Sequence, residues 1–484
     1  MPFFLILFLL FSTPVWSTEI TILHFNDFHG HVSPNQTKTG TMGGLAKMAG
    51  LIKKIRAENK KSGRDTFVLF AGDVFTGTPI SSLFQGAVDF ESMNQLKLDA
   101  MCVGNHEFDY GLPRLTELRR KAEFPLVSAN IINRATHQPE FGADVILSAA
   151  DGTKIGVIGL TTPKTPLKTH PESVKGFSFT EPIGVTRQLA RVLAKKTDVQ
   201  IVLSHMEDSI ENKLLANVPE IDLLIGGHDH HSPDVPHCVE VKKRLHCETP
   251  AYTNYLGRID LKIEKKKLTI LKTELIALDD RIQADPLVAK WIGPYAHAVE
   301  KRFSKVVAQA QTTIPQGREG ESPLGNLITD ALRAYTLSDV ALINSGGIRG
   351  SLQAGPIRLG DIETILPFHN ALQVVELRGK ELEKIFQFSL QQKEGAFLQV
   401  SGLKIIGTEK NPKLYVNDQL IGPNDLFKVC SNSFLAEGGD GYALLKNRKV
   451  LKQYDQVLSD AVIDYFQRQK VLTPPTLGRI VFSK

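Results

Sequence analysis

The stretch Gly104-Asn105-His106-Glu107-Phe108-Asp109 follows the apolar run LDAMCV at 98–103. A short apolar run of this kind predicts a buried β-strand. The residues directly after it carry an amide, an imidazole and two carboxylates, which are groups that bind metal ions or transfer protons. The end of this strand is therefore the first candidate for a functional site.

Four other strand-like runs end in the same kind of polar group. They are EITILHFN at 19–26 before Asp27-Phe28-His29-Gly30-His31, TFVLF at 66–70 before Ala71-Gly72-Asp73, VQIVL at 199–203 before Ser204-His205, and IDLLI at 221–225 before Gly226-Gly227-His228-Asp229-His230-His231. Helical patterns separate the strands, at about 45–56, 81–96 and 181–195, so the sequence predicts an α/β domain. In such sheets the active site lies outside the carboxyl ends of the strands, where these side chains are expected to meet.

Length and composition favour a multidomain globular protein. The chain has 484 residues, which is too long for one hydrophobic core, and its hydrophobic content of 42% and charged content of 23% are ordinary. The net charge of +5 is small for this length. The basic run KKIRAENKKSGR at 53–64 fits a solvated helix end better than a nucleic-acid surface, and we expect no nucleic-acid polymer as a partner.

The N-terminal run MPFFLILFLLFSTPVW at 1–16 is nearly all apolar and carries no charged side chain. It is too short to span a bilayer comfortably, and Val15-Trp16-Ser17 has small residues where a signal peptidase requires them. The run lacks Lys or Arg, which is atypical. We nevertheless predict a signal peptide at 1–17 and a periplasmic or secreted protein without a stable membrane anchor after cleavage.

Four cysteines divide into two pairs of different character. Cys102 and Cys430 lie within apolar runs and are expected to pack as small hydrophobic residues. Cys238 and Cys247 bracket the hairpin-like stretch CVEVKKRLHC. In an oxidising compartment these two can form a disulfide, and the alternative is two unpaired surface thiols.

A change in composition near residue 280 predicts a domain boundary. The stretch 279–303 is helical in periodicity and is interrupted by Gly293-Pro294. We interpret the stretch as a linker in which Gly293-Pro294 is either a hinge element or a simple helix kink. The predicted division is a signal peptide at 1–17, a first domain at 18–280, a linker helix at 281–304 and a second domain at 305–484.

The polar strand ends of the first domain match the needs of a metal centre. Seven oxygen and nitrogen ligands are available: Asp27, His29, Asp73, Asn105, His205, His228 and His230. Two divalent cations suit in-line displacement at phosphorus, because they polarise the phosphoryl oxygens and lower the pKa of water. His106 is not needed as a ligand, and Asp109 follows it by one helical turn, so the carboxylate can hold one imidazole nitrogen.

Taken in order, Asp-x-His, Gly-Asp, Gly-Asn-His-Glu, Ser-His and Gly-His-x-His resemble the five motifs of the calcineurin-like metallophosphoesterases. The resemblance implies an α/β/β/α sandwich of four layers and two metal ions, with zinc favoured and manganese, cobalt or magnesium as alternatives. By it, one metal is held by Asp27, His29, Asp73 and His230, and the other by Asp73, Asn105, His205 and His228. His106 and Asp109 would form the catalytic dyad. His230 departs from many relatives, which have Gln or Asn there.

The second half resembles the C-terminal domain of the 5′-nucleotidases, a smaller α/β domain. The motifs that carry this resemblance are Asn344-x-Gly-x-Ile-Arg349, Leu-Pro-Phe368 and Phe434-Leu-Ala-x-Gly-Gly-Asp440-Gly. The resemblance implies that Phe368 and Phe434 stack the base, that Asn344 contacts it and that Asp440 binds the ribose hydroxyls. Arg349 and Arg318 would contact the phosphate end of the substrate. Viewed singly, each Phe fits a hydrophobic core better than a base-stacking site, and Gly438-Gly439 and Gly346-Gly347 fit plain turns equally well.

From these observations we expect an exported dimetal 5′-nucleotidase that hydrolyses nucleoside 5′-monophosphates through hydroxide generated at the metal centre. A UDP-sugar or dinucleotide pyrophosphatase and a 2′,3′-cyclic-nucleotide phosphodiesterase/3′-nucleotidase are alternatives on the same fold. A non-catalytic surface binding protein is disfavoured, because such a protein would not need the complete ligand set. Metal identity, base preference and oligomeric state are left open by the sequence.

Overall fold

A computed structural model describes residues 17–37, 40–393, 395–408 and 411–482. The predicted signal peptide lies outside the described residues except for Ser17, which begins the first strand. Within the described part of the chain, every helix is too short or too polar to traverse a bilayer.

Two six-stranded sheets make up the first half of the molecule. The first sheet has the spatial order Lys267–Ala277, Tyr255–Glu264, Ser17–Phe25, Asp65–Phe70, Ala100–Cys102 and Leu126–Val127. The second sheet has the order Cys238–Val241, Arg244–Cys247, Leu223–Ile225, Val199–His205, Lys154–Thr161 and Asp144–Ser148. The strands that carry the polar motifs run parallel to one another within each sheet, so their carboxyl ends lie on one side.

The two sheets pack face to face, with helices on both outer faces. Ile22 and Leu69 of the first sheet share one core with Val157 and Ile201 of the second, and all four are fully buried. Helices Leu45–Lys61 and Ala87–Leu96 cover the outer face of the first sheet, while Pro182–Leu193 and Asp208–Asn217 cover that of the second. This is the four-layer α/β/β/α arrangement that was expected.

Cys238 and Cys247 face each other across the antiparallel pair at the edge of the second sheet and form a disulfide. Of the two alternatives for these cysteines, the structure contains the paired one. Cys102 and Cys430 are free and buried, as predicted.

Two helix predictions were wrong in detail. The helix expected at 81–96 is two helices, Pro79–Phe84 and Ala87–Leu96, because Gln85 and Gly86 adopt positive φ angles of 45° and 73°. Conversely, Gly293-Pro294 does not interrupt the linker, since one helix runs through Pro286–Phe303. Asp285 caps its N-terminus, and Trp291 and Tyr295 pack against the core of the first sheet, which holds the helix together despite the internal proline.

The second half is built on a five-stranded sheet with the order Leu398–Ser401, Val340–Asn344, Leu426–Asn432, Ala371–Arg378 and Val450–Val457. Smaller sheets contain Gln419–Leu420, Asn411–Val416, Lys404–Thr408 and Ile480–Phe482, and Gly355–Arg358, Val306–Ala310 and Val471–Leu472. The main helices are Pro323–Thr336, Leu359–Ile365, Gly379–Ser389 and Leu458–Gln469. The last of these helices begins where Asp460 accepts a hydrogen bond from the Val457 backbone N–H group.

The remaining short elements lie in the connections. They are the helices Leu112–Arg119, Thr165–Lys168 and Ser433–Ala436, the single 3₁₀ turns His106–Phe108, Pro171–Val174, Ser345–Gly347, Gly439–Gly441 and Ala443–Leu445, and the strand pairs Asn35–Thr37 with Gly40–Met42 and Ile131–Asn133 with Phe177–Phe179. Several of these turns carry the side chains of the candidate site.

Candidate active site

The first group of polar side chains consists of Asp27, His29 and His230. The Nε2 atom of His230 lies 3.1 Å from Asp27 Oδ1 and 3.1 Å from His29 Nε2. Asp27 and His29 are fully buried, and Asp27 Oδ1 has no hydrogen-bond partner among the described residues. A buried carboxylate oxygen without a partner is costly, so these side chains suit a cation between them.

The second group consists of Asp73, Asn105, His205 and His228. His205 Nε2 lies 2.9 Å from Asp73 Oδ2, and His228 Nδ1 lies 3.3 Å from His205 Nε2. The buried Asn105 Oδ1 atom also lacks a partner within the described residues. Asp73 Oδ2 is 3.8 Å from His29 Nε2, so Asp73 lies between the two groups, as a bridging ligand would.

Backbone strain is concentrated at the same residues. Five of the seven predicted ligands have positive φ angles: Asp27 at 49°, His29 at 46°, Asp73 at 62°, His228 at 97° and His230 at 51°. Such conformations cost a non-glycine residue on the order of 1–3 kcal/mol each and accumulate where function requires a fixed side-chain direction.

The outward-facing nitrogens of three imidazoles are hydrogen-bonded in the manner of metal ligands. His29 Nδ1 donates to the Thr76 carbonyl oxygen at 2.7 Å, and His205 Nδ1 donates to the Ala71 carbonyl oxygen at 2.7 Å. His230 Nδ1 lies 3.1 Å from the Tyr252 hydroxyl. These contacts fix the rings so that Nε2 faces the centre. The donor set, the unpartnered oxygens and these contacts together fit two divalent cations.

The charged neighbours shift the pKa values of these groups in opposite directions. Burial would raise the pKa of Asp27, but the facing His230 and His205 rings hold it well below its usual range. Burial would lower the pKa of His205, yet Asp73 and Asp27 raise it to about 10. For His228, burial and the neighbouring His205 lower the pKa to about 3. A divalent cation would displace the remaining proton, as metal binding to imidazole requires.

His106 and Asp109 form a close pair at the opening of this centre. His106 Nδ1 lies 2.6 Å from Asp109 Oδ2, and Thr169 Oγ1 donates to Asp109 Oδ1 at 3.0 Å. Burial would lower the pKa of His106, but Asp109 and Asp73 raise it above its usual value. The Nε2 atom of His106 lies 3.9 Å from Asp73 Oδ2, beside the metal-binding groups.

Glu107 holds the backbone of the site. Its carboxylate accepts hydrogen bonds from the backbone N–H groups of Val74 at 2.6 Å and Asp73 at 3.2 Å, and from that of Gly104. A Cβ atom on Gly104 would lie 2.2 Å from Asp73 Oδ1, so only glycine fits there. Glu107 therefore orients the loop that carries Asp73.

A cavity of about 340 Å³ lies between the two halves of the molecule, which is a size suited to a small ligand. Its lining includes these predicted residues: Asp73, Asn105, His106, Asp109, His228, His230, Arg318, Asn344, Arg349, Phe368, Phe434 and Asp440. The structure therefore brings four of the seven predicted metal ligands into one cavity with every substrate residue predicted in the second half.

The far end of this cavity is polar on one side and aromatic on the other. Asn344 Nδ2 donates to Asp440 Oδ2 at 2.8 Å, and burial raises the pKa of Asp440 to about 6. A Cβ atom on Gly439 would lie 2.4 Å from the Phe434 ring, so this glycine allows the loop to pack against the aromatic face. Gly438 has a positive φ of 90° and serves as a turn glycine.

Sequence reasoning did not predict several residues that line the cavity. Lys168, Thr169, His170, Glu319 and Asn370 also line the cavity. The run Lys-Thr-His at 168–170 was detectable as a polar cluster after a short helix, but no motif marked it.

Of the other histidines near the site, His24 is a buried strand residue, and His31 contacts the Phe28 carbonyl oxygen through Nδ1. The third, His231, is a loop residue that lies against Asp208.

Comparison with known families follows the same division of the chain. A family model described as calcineurin-like phosphoesterase matches residues 20–232, and one described as the 5′-nucleotidase C-terminal domain matches residues 301–447. The chain belongs to the 5′-nucleotidase family. It is accordingly a hydrolase of phosphoric esters, of the metallophosphoesterase type, and divalent metal ions are implied by the family.

Individual members of the 5′-nucleotidase family resemble the chain over nearly its whole length. Protein UshA of Yersinia enterocolitica is 28% identical over 505 residues, covering 90% of each chain. Protein 5NUC of Lutzomyia longipalpis is 29% identical over 537 residues, covering 96% of this chain and 93% of its own. A solved structure, the 5′-nucleotidase precursor of Thermus thermophilus, is 28% identical with a TM-score of 0.87 and covers 96% of this chain and 100% of its own. The predicted fold is thereby confirmed.

Proposed function

We propose that the protein is an exported enzyme that hydrolyses nucleoside 5′-monophosphates to nucleoside and phosphate, with two divalent cations as cofactors. One observation carries the proposal: His106 and Asp73, from the first half, line the same cavity as Phe368, Phe434 and Asp440, from the second. The phosphate group and the nucleoside part of one nucleotide can therefore be bound at the same time.

The metal assignments are those implied by the family motifs. Asp27, His29, Asp73 and His230 would hold one cation, and Asp73, Asn105, His205 and His228 the other. When bound, two cations supply Lewis-acid stabilisation of the phosphoryl oxygens and a nucleophile from water. Zinc is favoured by the imidazole-rich donor set, with manganese, cobalt or magnesium as alternatives.

The chain's own contribution to the reaction centres on His106. With Nδ1 held by Asp109, its Nε2 can donate a hydrogen bond to the phosphoryl group and a proton to the departing oxygen of the ribose. The raised pKa of His106 supports this role, because the protonated ring is the form that can donate from Nε2.

The opposite end of the cavity suits a nucleoside. Phe368 and Phe434 would stack the base, and Asn344 would contact its edge. Asp440 would accept hydrogen bonds from the ribose hydroxyls. Arg349 and Arg318 supply positive charge for the phosphate.

A substrate panel tests the proposal. Phosphate release from AMP and UMP should exceed, in kcat/KM, the cleavage of a UDP-sugar, a dinucleotide and 2′,3′-cyclic AMP. Inert AMP and UMP together with cleavage of any of the others would replace the proposal by the corresponding alternative. Purified protein that cleaves none of them would favour a binding protein.

Export is supported by the disulfide between Cys238 and Cys247, since such bonds persist in oxidising compartments. The apolar N-terminal run supports it as well. Expression of the full chain in a bacterium should yield a periplasmic or secreted protein that begins at Thr18. Intact mass showing an uncleaved protein in the cytoplasm would contradict this part of the proposal.

A further inference from the structure

A second group of buried metal-binding side chains lies outside the catalytic cavity. It consists of Asp208, Glu211, His246 and Glu248, which we call the second cluster. Asp208 and Glu211 belong to the helix Asp208–Asn217, whereas His246 and Glu248 come from the end of the disulfide-closed hairpin. One ligand atom from each of the four lies within 4.8 Å of all the others.

The polar atoms of the second cluster are not satisfied by the protein. Neither carboxylate oxygen of Glu248 has a hydrogen-bond partner among the described residues, although this side chain is only 2% exposed. The same holds for Asp208 Oδ1. Native proteins rarely leave several buried acceptors unpaired at one point, so the cluster requires a positively charged occupant.

The orientation of His246 identifies the kind of occupant. Its Nδ1 lies 3.1 Å from Asn212 Oδ1, which can only accept, so Nδ1 carries the proton. In the neutral ring Nε2 then carries a lone pair and no proton. This nitrogen lies 2.6 Å from Glu211 Oε2, which is also an acceptor. Metal-bound histidines show this pattern, in which the outer nitrogen donates to an oxygen and the inner one faces the ion.

The backbone also leaves room at the second cluster. A Cβ atom on Gly226 would lie 2.5 Å from Glu211 Oε2 and 2.9 Å from His246 Nε2. The opposite oxygen of Glu211 accepts a hydrogen bond from Ser204, so the carboxylate is fixed with Oε2 towards the cluster. Glu211 is thus held in place by Ser204, His246 by Asn212 and Glu248 by burial.

We propose that the second cluster binds a further divalent transition-metal ion, distinct from the two catalytic ions, through Asp208, Glu211, His246 and Glu248. Three carboxylates and one imidazole suit Mn²⁺ or Zn²⁺, whereas Ca²⁺ prefers six to eight oxygens. At ordinary bond lengths, two ligand atoms on one such ion lie about 3.4 Å apart. His246 Nε2 and Glu211 Oε2 therefore separate slightly when the ion enters.

The ion has a structural task beside the catalytic centre. It links the helix that follows His205 to the hairpin that ends at Glu248. From Glu248 the connection continues, since Thr249 N donates to Asn26 Oδ1 at 2.9 Å and Asn26 Nδ2 donates to Asp27 Oδ2 at 2.8 Å. The second cluster thereby stabilises the loops that present the predicted ligands Asp27 and His205.

Metal counting tests this proposal independently of activity. The full-length enzyme is equilibrated with Mn²⁺ or Zn²⁺ alone, freed of loose ions and analysed by mass spectrometry of the elements. We expect Glu248→Gln and His246→Gln to hold one ion fewer per chain than wild type. Asp260→Asn removes a buried carboxylate that is bonded to Thr21 and Arg258, and this control should hold as many ions as wild type.

The test compares the metal count of each variant with that of wild type, so the absolute number of ions in the catalytic site does not enter the comparison. Asp208→Asn serves as a variant that should fold normally, because the Asp208 side chain is partly exposed. We expect this substitution to weaken binding of the extra ion at least tenfold. Equal metal content in wild type, Glu248→Gln, His246→Gln and Asp208→Asn would overturn the proposal. In that case His246 would carry a second proton and Glu248 would be neutral.

Discussion

Phe368 lies beside His106, with ring centroids 5.8 Å apart and ring planes inclined by only 24°. The two residues come from different halves of the chain and are separated by the linker helix Pro286–Phe303. An aromatic face suited to a base therefore adjoins an imidazole suited to a phosphoryl group. This contact makes the cavity a joint product of both halves.

Removal of the His106 imidazole should reduce the rate without emptying the metal site. His106→Ala is expected to lower kcat for AMP by about 10²–10⁴-fold, because a positioned proton donor is lost. Metal content should equal that of wild type. Asp109→Asn should give a smaller loss, since the ring remains but its Nδ1 partner is weakened. A His106→Ala enzyme with undiminished kcat would show that another group donates the proton.

Asp73→Asn should lose metal and activity together. Asp73 lies between both groups of ligands, and an amide offers a weaker, uncharged oxygen to each cation. We expect phosphate release near background and a reduced metal count, measured on the same preparation. Asp260→Asn is the matched control with a buried carboxylate elsewhere. Full activity of Asp73→Asn would mean that the predicted bridge is not part of the centre.

Phe434→Ala should weaken nucleotide binding and spare the chemistry. Loss of one stacked ring costs about 1–3 kcal/mol, so KM for AMP should rise by roughly 5–150-fold. Ribose 5-phosphate has no base, and its kcat/KM should be the same in wild type and variant. An equal loss with both substrates would indicate that Phe434 supports the fold rather than the base.

Asp440 should make nucleotide binding sensitive to mild acid. Because burial raises its pKa to about 6, the carboxylate is ionised at pH 7 and takes up a proton as the pH falls towards 5. A protonated carboxyl accepts ribose hydroxyls poorly, so KM for AMP should rise over this range. Asp440→Asn should have a higher KM at pH 7 and a flatter profile. A 2′,3′-dideoxynucleotide, which lacks the hydroxyls, is the control substrate and should show no such rise.

The disulfide should contribute measurably to stability. Cys238 and Cys247 are separated by 9 positions, and closing a loop of this length restricts the unfolded chain by about 2–3 kcal/mol. Urea unfolding of Cys238→Ser/Cys247→Ser should show a free energy of unfolding lower by that amount, and dithiothreitol should destabilise wild type but not the variant. Identical unfolding curves for reduced and oxidised wild type would contradict this expectation.

Much of the fold and site was accessible from local sequence patterns. Apolar runs that end in Asp, His or Asn indicated parallel strands with a common functional edge, because the carboxyl ends of such strands converge. The spacing of His106 and Asp109 predicted their contact, since residues three apart share a helical face. Where local backbone geometry decided the outcome the predictions failed, as at Gln85-Gly86, where positive φ angles split a helix.

The sequence by itself determined the kinds of ligand, their order along the chain and the resemblance to the 5′-nucleotidase family. Only the tertiary structure decided which distant residues meet. Glu107 proved to bind backbone N–H groups of the Asp73 loop, Tyr252 to contact His230, and Glu211 to face His246 from another element. The physical reason is that periodicity and turn chemistry act over a few residues, whereas these contacts depend on how whole sheets and helices pack. The stretch 104–109 shows both contributions. Its sequence motif predicted the chemistry, and contacts with residues distant in sequence determined the role of each side chain.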